Sequence, residues 1–72
     1  MRFKIGELVV PREPGCQTTV WKDDLNDEED FLDPDDVATV CKSEDSYGWV
    51  YVITPRGKRG VVHRSNIVRP AV

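Results

Sequence analysis

Between Gly48 and His63 the chain reads GWVYVI, then TPRG, then KRGVVH, and this stretch restricts the fold more than any other. Trp49, Val50, Tyr51, Val52 and Ile53 are β-branched or aromatic residues of the kind that fit a pleated surface. Thr54-Pro55-Arg56-Gly57 carries proline at the second position and glycine at the fourth, as a type I turn prefers. Lys58 to His63 then returns as a partner strand, so an antiparallel hairpin is expected over 48–63. A period of two places Val50 and Val52 on one face and Trp49, Tyr51 and Ile53 on the other. The valines, with Val40, Val62 and Ile67, are the expected core.

Three further strands are expected around this hairpin. Residues 4–10 contain a turn at Gly6 and then an apolar run that Pro11 ends or confines to an edge. Residues 37–43 (VATVCKS) form another strand. Arg64-Ser65-Asn66 reads as a tight helical turn before a last short strand over 67–69. From Arg12 to Asp36 no sustained period appears. Gln17 to Trp21 suits a short extended piece. Asn26 and Glu29 stand at capping-box spacing, which predicts a helical turn over 27–32 that Pro34 stops. The expectation is an all-β, five-stranded antiparallel barrel. Its 72 residues make a single domain, 1–72, with an acidic insert loop at about 12–36 between the first two strands.

The end of the chain, Gly60-Val61-Val62-His63-Arg64-Ser65-Asn66-Ile67-Val68, resembles the closing segment of SH3 domains. That segment runs glycine, two apolar residues, proline, serine, asparagine, an aromatic and valine. Trp49 precedes Gly60 at a spacing close to that of the SH3 ligand-groove tryptophan. The opening Phe3-Lys4-Ile5-Gly6-Glu7-Leu8-Val9-Val10 is similar to the first strand of many small bacterial and phage SH3-like barrels. The resemblance implies an SH3-like barrel in which the acidic loop faces Trp49. Its departures argue against proline-rich ligands. His63 stands in place of the proline, Arg64 is an extra residue, Ile67 replaces the ligand-contacting tyrosine, and no ALYDY-like segment precedes the barrel. A polyproline groove needs a fuller set of aromatics.

Several functional classes have little to support them. The apolar runs are far shorter than the roughly 18 residues of a membrane span. Lys4 and Glu7 interrupt the N-terminus, so no signal peptide is expected and a cytoplasmic setting follows. There Cys16 and Cys41 are expected as reduced thiols, able to pair only under oxidising conditions. Their spacing suggests no metal site. His63 is the single histidine, and no nucleophile elbow, phosphate loop or paired-cysteine motif accompanies it. No enzymatic activity, no cofactor and no catalytic residue is expected. No Asp-x-Asp-x-Asp-Gly loop supports calcium either.

Charge is what remains. The net value is -3, yet Asp23, Asp24, Asp27, Glu28, Glu29, Asp30, Asp33, Asp35 and Asp36 put nine of the 13 acids into one segment. Arg56, Lys58, Arg59, Arg64 and Arg69 make the last third basic. Such polarity selects charged partners. The expected function is protein–protein binding to a basic partner. Asp23, Asp24, Asp27, Glu28, Glu29 and Asp30 would supply charge, and Trp49 and Tyr51 an aromatic anchor, unless Trp21, Phe31 and Leu32 fold over them. Similarity to small phage accessory proteins implies action on host machinery. The alternative is a nucleic-acid-binding barrel of ribosome- or transcription-associated type, using Arg56, Lys58, Arg59 and Arg64. It ranks second because the chain is acidic and the basic set has carboxylates to pair with.

Overall fold

The computed structural model describes residues 3–70. Residues 1, 2, 71 and 72 of the expected domain lie outside them. The strands are β1 (Leu8–Pro11), β2 (Thr18–Trp21), β3 (Glu28–Leu32), β4 (Ala38–Lys42), β5 (Trp49–Ile53), β6 (Arg59–His63) and β7 (Ile67–Val68). A 3-10 turn, Arg64–Asn66, separates β6 from β7. All pairings are antiparallel, in the order β3-β2-β6-β5-β4-β1-β7. The end strands β3 and β7 do not pair with each other, so the sheet is not a closed barrel. Among the described residues no helix is long and apolar enough to cross a membrane.

Every strand contributes to one core. Val9, Val20, Leu32, Val40, Val50, Val52, Val62 and Ile67 belong to a single cluster, each at most 1% exposed. Leu32 and Ile67 come from opposite ends of the strand order, so their meeting requires the sheet to curl around its interior. Burying each such side chain stabilises the fold by about 1.5–3 kcal/mol. The five expected core residues are all buried.

Two expectations fail in the acidic segment. Residues 12–36 are not a long loop: Thr18-Thr19-Val20-Trp21 and Glu28–Leu32 pair as a hairpin. Nor is there a helical turn over 27–32, because Lys22 N–H donates to the Asp27 carbonyl at 2.9 Å and closes the hairpin end. Asn26 does not cap; its own N–H is held by Asp24 Oδ1 at 2.9 Å. Leu25 takes the left-handed conformation (φ 62°) that this tight reversal demands. The apolar residues Val20 and Leu32 decide the outcome, since both reach the core only if each flank is a strand. Among the described residues there are therefore seven strands, not five.

At the N-terminus, the strand expected over 4–10 begins only at Leu8. Lys4 to Glu7 form a turn in which Glu7 N–H donates to the Lys4 carbonyl and the Glu7 carboxylate accepts from Lys4 N–H at 2.7 Å. β1 then changes partner midway. Leu8 and Val9 lie against β4, whereas Val10 and Pro11 lie against β7.

Gly60 decides how β2 meets β6. A Cβ there would stand 2.5 Å from the Trp21 carbonyl oxygen and 2.6 Å from Val20 Cγ1. The missing side chain lets β2 cross β6 closely enough for Trp21 to pair with Val61.

Candidate functional site

The face of the sheet turned away from the core carries an aromatic row. Trp21 stands opposite Val61, Val61 opposite Tyr51, and Tyr51 opposite Lys42. Val61 lies outside the core cluster and is still only 1% exposed, flanked by Trp21 and Tyr51, which are each half-buried. The Lys42 ammonium lies 4.9 Å from the Tyr51 ring centroid, a cation–π contact that fixes the end of the row.

Trp49 lies two residues along β5 from Tyr51 and pairs with His63. Their rings meet edge-on, with centroids 5.1 Å apart and planes at 83°. His63 is held from both sides: Nε2 lies 3.1 Å from the Tyr47 carbonyl, and Nδ1 lies 2.7 Å from Ser65 Oγ. A carbonyl only accepts, so Nε2 carries the proton and Nδ1 accepts the Ser65 N–H. The single histidine thus has a structural task, capping the 3-10 turn and steadying Trp49. Beneath it, Asp45 Oδ1 accepts the N–H groups of Tyr47 and Trp49 at 2.8 and 2.9 Å. The Trp49 bond is the largest cause that holds the Asp45 carboxyl below its ordinary range.

The expected cover of these aromatics takes another form. Leu32 turns into the core, Phe31 lies under the Arg56 guanidinium, and Trp21 stands beside Val61 rather than over Tyr51. Trp21 belongs to the row itself, a role the sequence reading did not assign it. Alternation within Thr18–Trp21 carried the only signal, since Val20 inward sends Trp21 outward.

The carboxylates divide into two groups. Asp23, Asp24, Asp27 and Glu28 are exposed at the hairpin end, with Glu29 half-buried behind them. Asp23 shares a hollow of about 360 Å³ with Lys42, Tyr51 and Arg59. The acidic end therefore borders Tyr51, while Trp49 lies farther along β5 in the other direction. Asp30 is not available in the same way. Its side chain is 8% exposed, accepts from Thr54 Oγ1 at 2.6 Å, and takes Arg56 Nε on both oxygens at 3.0 and 3.1 Å. Desolvation pushes the Asp30 carboxyl up. The hydrogen bonds from Thr54, the Phe31 backbone and Arg56 outweigh it and leave the group below its ordinary range.

The basic residues of the alternative reading are also partly committed. Arg56 bridges Asp30 and Asp36 and donates to the Phe31 carbonyl. Arg64 pairs with the buried Glu44 at 3.1 Å. Lys58 and Arg59 are exposed at the β5–β6 turn. Cys16 and Cys41 are free thiols. Among the described residues no three metal-ligating side chains converge. Compared with protein families, with curated proteins and with solved structures, the chain matches none.

Proposed function

We propose that this chain is a non-enzymatic binding module of SH3-like architecture that docks a basic protein on the outer face of its sheet. The row Trp21–Val61–Tyr51, bordered by Asp23 at the hairpin end, carries this reading. Half-buried aromatics offer a large contact area at small entropic cost, and adjacent carboxylates favour cationic partners. The SH3-like assignment draws support from the 3-10 turn between β6 and β7 and from the placement of β1 between β4 and β7. A setting in a host cytoplasm, as for a phage accessory protein, belongs to the same proposal.

Charge and apolar contact act on different rates. Long-range attraction raises association, and buried aromatics slow dissociation. Neutralising Asp23, Asp24, Asp27 and Glu28 together should lower the association rate and flatten its salt dependence, whereas Trp21→Ala should chiefly raise the dissociation rate. Surface plasmon resonance against the isolated partner separates the two. Unchanged kinetics in both variants, each verified as folded by thermal melting, would refute the proposed surface.

A further inference from the structure

A second cleft, of about 490 Å³, opens beside the 3-10 turn and is lined by Phe3, Arg12, Arg64, Ser65, Val68 and Arg69, among others. Its three arginines come from separate places: Arg12 just after β1, Arg64 in the 3-10 turn and Arg69 just after β7. The fold brings them together because Pro11 pairs with Ile67 and the Arg12 N–H donates to the Asn66 carbonyl at 2.9 Å.

Two of the guanidiniums are braced from behind. Arg64 is held through Nη1 by Glu44, whose side chain is 1% exposed, while its own is 61% exposed. Arg69 is held by Glu7 and lies 4.5 Å from the Phe3 ring centroid. Glu44 thus holds Arg64 and Glu7 holds Arg69, and Arg12 lines the same cleft. Arg64 keeps donors beyond Nη1 for a ligand, and Phe3 and Val68 supply an apolar wall. None of this serves the aromatic face, whose residues do not line this cleft.

We infer that this cleft, lined by Arg12, Arg64, Arg69 and Ser65, is a binding site for the oxyanion group of a small ligand, a carboxylate or a phosphate. Planar guanidiniums offer paired donors that match either group. Bracing by Glu44 and Glu7 fixes the forks before a ligand arrives, which lowers the ordering cost of binding.

Titration of the intact, isotope-labelled chain with inorganic phosphate and, separately, with succinate tests the site by NMR at low salt. Saturable shifts at the amides of Arg12, Ser65 and Val68 are expected with at least one probe, and the probe that saturates identifies the group. Arg12→Gln, which leaves both braced pairs in place, should weaken that affinity about tenfold. Arg64→Gln should weaken it further, and Lys58→Gln should change nothing. The inference is overturned if neither probe saturates, if the shifts follow Lys58 and Arg59 instead, or if Arg12→Gln binds as tightly as wild type.

Discussion

Arg56 and Asp30 join the β5–β6 turn to strand β3, which reaches β6 through the sheet only by way of β2. The guanidinium reaches both Asp30 oxygens, Asp36 at 3.1 Å and the Phe31 carbonyl, and it lies 4.7 Å from the Phe31 ring centroid. Thr54 from the same turn adds its hydroxyl to Asp30. This side-chain clasp fastens the acidic hairpin to the body of the domain, in addition to the pairing of β2 with β6.

Removing the clasp should therefore loosen one side of the molecule. Asp30→Ala leaves Arg56 without its main partner and the buried Thr54 hydroxyl without an acceptor. The melting temperature is expected to fall by about 5 °C or more. Amide exchange should rise in 18–32 before it rises in β5. Uniform acceleration across all strands would show that the hairpin is not fastened separately.

Gly60 offers a test of the β2–β6 crossing. Gly60→Ala places a methyl against the Trp21 carbonyl and Val20, in a space that admits none. Overpacking of this kind costs about 1–3 kcal/mol, measurable by urea denaturation. Because the clash involves backbone, the Trp21 environment should change as well, visible in its indole NMR resonance. An unperturbed variant would contradict the close approach.

Acid should unfold the protein from a definite direction. Asp30, Asp45 and Glu7 all lie below their ordinary values of 3.8, 3.8 and 4.5. For Glu7 the Arg69 hydrogen bond is the leading cause. A depressed carboxyl stabilises the fold fully above its unfolded value and loses that contribution as pH falls through the folded one. Stability to urea should stay nearly level between about pH 7 and pH 5 as far as these groups contribute, and decline below about pH 4.5. Asp45→Asn should make the decline shallower. A decline that begins near neutrality would contradict this assignment to the three carboxyls.

Nucleic acid provides a contrasting outcome. With Arg56 and Arg64 held in ion pairs, Lys58 and Arg59 are left as the outward part of the hairpin set. No specific binding to DNA or RNA is expected at physiological salt, as read by fluorescence anisotropy. Submicromolar binding that depends steeply on salt and disappears in a Lys58→Gln, Arg59→Gln variant would support the nucleic-acid reading.

Much of the fold was legible from short-range pattern. The 48–63 hairpin, the inward valines and the helical turn at Arg64 all follow from alternation and turn chemistry. The β2–β3 hairpin was not, because Asn26 and Glu29 imitate a capping box and local acidic content masks Val20 and Leu32. Only burial of those two residues against distant strands reveals it. Trp49 and Tyr51 were assigned to the outer face from alternation alone. Trp21 was missed as their neighbour because its register with Val61 depends on Gly60, a contact between chain segments far apart. Similarly, Arg12, Arg64 and Arg69 share a cleft only after β1 has paired with β7.

Differential capture from a lysate of the native cells tests the binding claim most directly. Immobilised wild-type protein, a Trp21→Ala, Tyr51→Ala variant and an Arg12→Gln control, each verified as folded, would be compared by mass spectrometry of what they retain. The expected result is a basic protein held by wild type and by the Arg12 control and lost from the aromatic variant, at a cost of at least about 2 kcal/mol, or roughly thirtyfold, in affinity. Retention of the same proteins by all three would contradict the outer aromatic face as the docking surface.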